Sequence, residues 1–210
     1  MQLDSTQNNN SRITVFGEID SLCKFSHDVF GEGFYTFSLK VARLSDNYDI
    51  LPITISERIV DIDSLTIGLP LLISGQIRSY NNYEESTGKN KLILTIFAKD
   101  CEKVEEGYTK NPNEIFLNGY ICKPPIYRIT PFGREIADLL VAVNRSYNKS
   151  DYIPCITWGR NARFSEKLST GDNIRIFGRM QSRNYQKKLE DGSVDERVAY
   201  EVSVSKIEFE

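Results

Sequence analysis

The chain lacks the signals that identify most enzymes, metal proteins and membrane proteins. No apolar run reaches the roughly 18 residues of a membrane-spanning helix. One histidine, His27, and four scattered cysteines without a C-x-x-C pair cannot assemble an ordinary zinc site. Neither a phosphate-cradling P-loop nor a glycine fingerprint for a dinucleotide occurs. We therefore expect no enzyme, metal or cofactor, and acidic pairs such as Asp61 and Asp63 are interpreted as solvated charge.

The amino terminus also lacks a targeting signal. It has neither the basic start nor the apolar stretch of a secretory signal peptide, so we expect a cytoplasmic protein. In that compartment cysteines usually stay reduced. The four cysteines are therefore predicted to be free, mostly buried thiols: Cys23, Cys101, Cys122 and Cys155.

An internal repeat is the dominant feature of the sequence. The segment "RITVFGEI" at 12–19 matches "EIFLNGYI" at 114–121, which is an offset of 102 residues. Other pairs share this offset or one slightly longer: Gly31 and Gly133, Arg43 and Arg145, Asp49 and Asp151, Pro52 and Pro154, Gly75 and Gly178, Gly88 and Gly192. The sequence therefore predicts two copies of one folding unit.

The repeat divides the chain into two small domains. We predict a first domain at 12–104 and a second at 114–210. The polar segment between them, 105–113, contains Gly and Pro and is predicted to be a linker. The Gln- and Asn-rich residues 1–11 are predicted to form a flexible arm.

Each copy has the pattern of a small β-barrel. In the second copy the predicted strands are 114–121, 135–147, 151–158, 173–182 and 197–209. A short helix is predicted at 161–168, capped by Asn161. Five strands with one helix after the third is the order of the oligonucleotide-binding (OB) barrel. The predicted fold is therefore all-β, with two tandem five-stranded OB-fold barrels, each with a short helix between strands three and four.

Several segments of the second copy have an order and spacing that are specific to one family. They are "NGYI" (118–121), "TPFGREIADLLVAVNRSY" (130–147), "DYIPCITWGRNA" (151–162), "LSTGDNIRIFGRMQSRNY" (168–185) and "YEVSVSKIEFE" (200–210). Through them the second copy resembles the bacterial single-stranded DNA-binding protein family. The resemblance implies sequence-independent binding of single-stranded DNA in replication, recombination or repair. The first copy is similar only in its framework, so the second is expected to be the main nucleic-acid-binding domain.

In that family, bases stack on aromatic side chains that lie in a basic groove. The resemblance implies this role for Tyr147, Tyr152, Trp158 and Tyr185. Basic residues near these aromatics are expected to contact phosphates: Arg145, Lys149, Arg160, Arg183, Lys187 and Lys188. The family usually carries a flexible tail with an acidic tip, whereas this chain ends at Glu210, so tail-mediated recruitment is not expected of it.

The alternation of strand 151–158 favours a surface position for Trp158, the only tryptophan. Side chains alternate between the two faces of a strand. One face holds Tyr152, Pro154, Ile156 and Trp158, and the other holds the smaller Ile153, Cys155 and Thr157. A small barrel has room for the smaller set, so Trp158 is predicted to face outward. The first copy, "DILPITIS" at 49–56, has Ser56 in place of the tryptophan, so the barrel does not need this ring for its core.

Charge also distinguishes the two copies, although the net charge of −3 gives no overall signal. Residues 112–210 carry 15 Lys and Arg against 13 Asp and Glu, whereas the rest of the chain carries 11 against 16. The first copy offers weaker stacking candidates, Tyr48, Tyr80 and Tyr83, and acidic residues such as Asp49 lie beside them in sequence. Whether the first copy binds nucleic acid stays open.

Two further hypotheses follow from the repeat. Because members of the family often assemble four barrels, two chains of two barrels would form a homodimer, with the first copy as a structural partner of the second. The alternative function is an OB-fold protein-interaction or primosome-like accessory module with weak nucleic-acid binding. The aromatic and basic face of the second copy distinguishes the two functions, because a pure scaffold does not need it.

Overall fold

The structure is a computed structural model that describes residues 10–84, 88–105, 110, 112–188 and 192–210. It consists almost entirely of β-strands. The first half contains β1 (Ser11–Ile19), β2 (Lys24–Val29), β3 (Glu32–Ala42), β4 (Tyr48–Ser56), β5 (Pro70–Glu84) and β6 (Lys89–Lys103). The second half contains β7 (Asn113–Ile121), β8 (Ile126–Ile129), β9 (Glu135–Asn144), β10 (Ser150–Trp158), α1 (Arg160–Ser165), β11 (Asn173–Lys188) and β12 (Val194–Phe209).

Each half closes on itself in the same way. In the first half β4 pairs in parallel with β6, and β1 pairs with both β3 and β5. In the second half β10 likewise pairs in parallel with β12, and β7 pairs with both β9 and β11. Alternate residues fill each interior, as the period-two pattern requires. Leu51, Ile53 and Ile55 are buried in the first barrel, and Ile153 and Cys155 in the second. The prediction of an all-β fold with two tandem barrels is confirmed.

Each barrel has one more strand than was predicted. β2 and β8 form short hairpins with β3 and β9. The segment around His27 is therefore a strand, and His27 itself is exposed. All six residues of β2 are exposed, so no buried face produces an apolar alternation that sequence reasoning can detect.

The short helix differs from its prediction in both copies. In the second, α1 starts one residue earlier and ends at Ser165, and the residue at its N-cap is Gly159, not Asn161. Gly159 has φ 52° and ψ −120°, a conformation that a side chain would strain. The Asn161 amide instead donates to the carbonyl of Ser205. In the first copy the helix is only a 3₁₀ turn at Ile62–Ser64.

The strands that border the longest hairpins extend beyond their predicted ends. β11 continues to Lys188 instead of stopping at residue 182, and in the first copy Tyr80 and Tyr83 lie in the outer part of the equivalent strand, β5. By contrast, β9 ends at Asn144, three residues before its predicted end at 147. The outer parts of the β5–β6 and β11–β12 hairpins are mostly exposed, so their sequences lack the apolar alternation of a half-buried strand.

Paired glycines allow the long strands to bend around each barrel. The ladders of β5 with β6 and of β11 with β12 shift register at Ser74/Gly75 and at Phe177/Gly178. A Cβ atom at either glycine would collide with a backbone carbonyl of the facing strand. These bulges explain why the repeat aligned Gly75 with Gly178.

The two barrels are joined edge to edge. β1 pairs with β7 in antiparallel register, with Ile13 opposite Ile115, so that the described strands form one sheet. The predicted boundaries of the arm and the linker remain predictions, because residues 1–9, 106–109 and 111 lie outside the described ranges. No helix within those ranges is long and apolar enough to span a bilayer.

All four cysteines are free thiols. Cys155 is buried and the others are partly buried. Burial raises the pKa of the Cys101 thiol to about 11 and also raises the pKa of Cys155. These thiols are therefore protonated at neutral pH, which agrees with the structural role that the sequence indicated.

Candidate nucleic-acid interface

Two of the four predicted aromatic residues lie on the outer face of β10. Tyr152 is 46% exposed and Trp158 is 39% exposed, whereas Thr157 between them is fully buried. The outward position predicted for Trp158 is therefore the one that the structure shows. At the usual rise along a strand, the two rings are about 20 Å apart. Between them Pro154 is half-buried and Ile156 is buried, so the exposed rings are two separate platforms.

A third aromatic residue, Tyr120, extends the Tyr152 platform across the sheet. Tyr120 is paired with Ala142, and Ala142 is paired with Tyr152, so all three side chains project from one face. Tyr120 is 43% exposed, and the small Ala142 leaves the space between the two tyrosines open. Sequence reasoning missed Tyr120 because its neighbour in space lies two strands away.

Tyr147 occupies the loop between β9 and β10 and is almost fully exposed. Its φ is 60° and that of Asn148 is 53°, so both residues have left-handed backbone conformations. Such a conformation costs a tyrosine roughly 1–2 kcal/mol, whereas asparagine tolerates it better. An exposed ring that is held at the expense of backbone strain is typical of a functional position.

Replacing Tyr147 by asparagine is expected to stabilise the fold and to weaken nucleic-acid binding. Relief of strain should raise the free energy of unfolding by about 1 kcal/mol, while loss of the ring should weaken oligo(dT) binding by about fivefold or more. Urea unfolding and an oligo(dT) titration measure the two effects. Tyr147→Phe is the matched control, because it keeps both the ring and the strain. An asparagine variant that matches the phenylalanine variant in both measurements would contradict the prediction.

Tyr185 lies on β11 and is 36% exposed. The guanidinium carbon of Arg183 is 5.9 Å from the centre of its ring, within the range of a cation–π contact. Arg183 also lies 3.5 Å from a carboxylate oxygen of Glu201, so part of its charge is compensated. Lys187 and Lys188 belong to the same strand, but their side chains lie outside the described part of the chain.

The remaining predicted basic residues differ in the exposure and the ion pairing of their side chains. Lys149 and Arg160 are exposed. Arg145 is less free: its side chain is 28% exposed, and its Nε lies 3.4 Å from the buried carboxylate of Asp151. Arg145 thus lies at the junction between the barrels, which the sequence did not suggest.

The structure adds polar groups beside Trp158 that sequence reasoning did not select. The backbone carbonyl of Glu135 accepts a hydrogen bond from Gly159, directly after the tryptophan. The Glu135 carboxylate accepts the hydroxyl of Tyr127 at 2.7 Å and lies 3.5 Å from Arg163. The hydrogen bond to Glu135 raises the pKa of Tyr127, so this hydroxyl remains a donor.

Exposed residues in the neighbouring hairpin are further candidates. Phe132 is 91% exposed in the turn between β8 and β9, and Arg134 near it is also exposed. The first barrel has Phe30 at the position of Phe132, but Glu32 at the position of Arg134. The apolar residue within the turn "TPFG" was a signal that could have identified Phe132 from the sequence.

The equivalent face of the first barrel carries opposite charge. Ser56, the counterpart of Trp158, is buried and donates its hydroxyl to Glu32. The carboxylate of Glu57 accepts the N–H of Gly33 at 2.9 Å, and Arg58 lies 3.3 Å from Glu32. Two carboxylates and one arginine therefore occupy the place where the second barrel has an aromatic platform.

The weaker candidates of the first barrel are exposed. Tyr48, Tyr80 and Tyr83 are each more than half exposed, and the ammonium of Lys40 lies 4.7 Å above the Tyr48 ring. Asp49, which lies beside Tyr48 in sequence, is fully buried. Its carboxylate is paired with Arg43, and it accepts the N–H of Ser182 in the second barrel at 2.7 Å. Its charge therefore belongs to the junction between the barrels and not to the exposed surface around Tyr48.

Comparisons with known proteins identify relatives of the second barrel. A model of the single-strand binding protein family matches residues 112–210. The single-stranded DNA-binding protein of Clostridium tetani is 36% identical over 100 residues, which cover 43% of this chain and 68% of that protein. Single-stranded DNA-binding protein 1 of Staphylococcus aureus is 37% identical over 81 residues, which cover 35% of this chain and 48% of that protein. The chain thus spans about half the length of this curated relative.

One solved structure resembles the whole chain. The wild-type single-stranded DNA binding protein from Thermus aquaticus superposes with a TM-score of 0.76, covering 95% of this chain and 92% of that chain. The sequence identity is 16%, so this likeness concerns the fold alone. It extends over both barrels, whereas the family model matches only the second.

Proposed function

The chain belongs to the single-strand binding protein family, and on that premise we propose that it binds single-stranded DNA without sequence preference in replication, recombination or repair. The observation that carries the proposal is the distribution of exposed aromatic rings. The second barrel exposes Tyr147, Tyr152, Trp158 and Tyr185, whereas the first barrel has a buried serine hydrogen-bonded to glutamate at the tryptophan position.

The chemistry of this face suits single strands. Each base has a π-face, so stacking on an aromatic ring contributes roughly 1–3 kcal/mol whatever the sequence. Exposed cations such as Lys149 and Arg160 supply phosphate contacts that release counterions. A duplex would keep its bases stacked on one another and could not use the rings. Binding without catalysis is therefore the proposed activity.

Fluorescence of the single tryptophan tests the proposal directly. Oligo(dT) added at low salt is expected to quench Trp158, and the quenching should weaken as salt rises because counterion release drives binding. Duplex DNA of the same length is the matched control and should quench far less. Unchanged fluorescence together with unchanged mobility of a labelled oligo(dT) would reject the proposal.

The first barrel is proposed to act mainly as a structural partner, and two chains are proposed to form a cytoplasmic homodimer with four barrels. The carboxylates of Glu32 and Glu57 favour this division, because they would repel phosphates at the position of the Trp158 platform. The alternative function, a protein-interaction or primosome-like module, would use such a face for basic partners. Sedimentation of the free chain tests the dimer: a monomer mass at micromolar concentration would reject it.

A further inference from the structure

The junction between the two barrels has two ends that are related by the internal repeat. At each end a buried aspartate of one barrel accepts a backbone N–H from the other barrel. Asp49 accepts from Ser182 at 2.7 Å, and Asp151 accepts from Ser79 at 2.7 Å. The hydroxyl of Ser79 also accepts the N–H of Tyr152, so this platform residue is hydrogen-bonded directly to the first barrel.

The end near Asp151 opens into a basic cleft. Its polar lining consists of Ser11, Gln76, Arg78 and Lys99 from the first barrel with Asn144, Arg145 and Ser146 from the second. It holds three cations, and two of them pair with one buried carboxylate. Arg78 lies 3.2 Å and Arg145 lies 3.4 Å from Asp151, while Lys99 is exposed.

This positive charge is incompletely compensated. Burial and the nearby charge of Arg145 lower the pKa of Arg78, although Asp151 opposes this effect. The Nε of Arg145 is buried and makes no hydrogen bond to any described residue. Three cations against one carboxylate therefore give the basic cleft an excess of positive charge that attracts an anion.

At the opposite end of the junction the charges of the arginines are balanced by carboxylates. Arg43, the counterpart of Arg145, donates to both oxygens of Asp49, at 2.9 and 2.6 Å, and to the Ser182 carbonyl at 3.0 Å. Glu114 adds a second carboxylate to that end, and Arg179 is the other cation. Two carboxylates therefore balance two arginines there, and this end has no excess positive charge.

We infer that the basic cleft binds a phosphate of the single-stranded DNA backbone where the strand passes from the Tyr152 platform onto the first barrel. This inference rests on the proposed function. The loop that carries Tyr147 begins at Arg145 and Ser146, so an aromatic platform and the cleft are continuous. The first barrel thus contributes the cations Arg78 and Lys99 to the nucleic-acid path.

Lys99 provides the sharpest test, because it belongs to the first barrel, is exposed and lies away from the predicted platforms. Lys99→Gln is expected to weaken oligo(dT) binding about fivefold at roughly 0.1 M salt and to reduce the slope of log affinity against log salt by about 0.7. Lys103→Gln is the matched control: it makes the same change at another exposed position of the same strand and should leave affinity and slope unchanged.

A second pair of variants probes the two ends of the junction. Ser146→Glu adds a carboxylate to the basic cleft, and Leu44→Glu adds one at the repeat-related position of the opposite end. Both positions are exposed, so both variants should fold. The first should weaken oligo(dT) binding several-fold more than the second.

The outcomes separate this inference from the proposed function. Absence of Trp158 quenching together with unchanged mobility of a labelled oligo(dT), both in the unmodified chain, would reject the proposed function and the inference together. Normal quenching, with Lys99→Gln indistinguishable from Lys103→Gln in affinity and in salt slope, would reject the phosphate site alone. Equal weakening by Ser146→Glu and Leu44→Glu would likewise show that the two ends do not differ.

Discussion

Replacing both Tyr152 and Trp158 by alanine is expected to weaken binding of single-stranded DNA by at least about 30-fold. Each ring should contribute roughly 1–3 kcal/mol through stacking on a base, and about 1.4 kcal/mol corresponds to a tenfold change in affinity. Both side chains are more than one third exposed, so the barrel interior behind them stays filled. Fluorescence anisotropy of a labelled oligo(dT) measures the loss, because the variant has no tryptophan of its own.

The double variant with phenylalanine at the same two positions is the matched control. Phenylalanine keeps a π-face at each site, so most of the affinity should remain. If the alanine and phenylalanine variants bound equally well while both remained folded by circular dichroism, stacking at β10 would not be the source of affinity. A loss with alanine that phenylalanine largely restores would assign the affinity to the rings themselves.

The part of this interface that follows strand alternation could be predicted from the sequence. The outward position of Trp158 followed from the period of two along 151–158 and from Ser56 at the equivalent position of the first copy. The structure places Ile153, Cys155 and Thr157 in the interior, as that alternation requires. Local periodicity is sufficient here because one face of the strand is buried.

Features that depend on contacts between strands or between barrels could not be predicted in this way. Tyr120 on β7 and Tyr152 on β10 are close only because both are paired with the small residue Ala142 on β9, the strand between them. β2 was missed because a strand with no buried face has no apolar pattern. The burial of Asp49 could not be predicted because an aspartate at the start of a strand has the same sequence appearance whether it is solvated or buried.

One signal for the junction was nevertheless present in the repeat. Both copies contain an arginine six residues before an aspartate, Arg43 with Asp49 and Arg145 with Asp151. These pairs recur because each aspartate accepts a backbone N–H from the opposite barrel. Identical polar residues at repeat-related positions are therefore informative about the contact between the copies, just as unlike residues such as Ser56 and Trp158 are informative about function.

The two copies have thus diverged at the surface while the junction was retained. Glu32 of the first barrel stands where the second has Arg134, and Ser56 stands where the second has Trp158. Substitutions at exposed positions change the free energy of unfolding little. Replacing only a buried carboxylate lowers it strongly, because the donors that were paired with the carboxylate stay behind without a partner. This difference leads to the largest expected effect on folding.

Asp49→Ala is expected to lower the free energy of unfolding by about 3 kcal/mol or more, because it removes the partner of a buried ion pair. The carboxylate accepts from Arg43 at 2.6 and 2.9 Å and from the N–H and hydroxyl of Ser182 at 2.7 and 3.2 Å. Without it the Ser182 N–H loses its partner at the junction, and Arg43 keeps only the carbonyl of Ser182. Urea unfolding followed by circular dichroism measures the change.

Asp46→Ala is the control, since Asp46 is exposed in the loop that precedes β4 and its loss should change the free energy of unfolding by no more than about 0.5 kcal/mol. Asp49→Asn should lie between the two, because the amide oxygen can still accept from Ser182 but no longer compensates the charge of Arg43. Equal stability of the Asp46 and Asp49 alanine variants would mean that the Asp49 carboxylate does not contribute to the stability of the fold. The ordered loss expected here would instead show that the buried Asp49 carboxylate stabilises this end of the junction through Arg43 and Ser182.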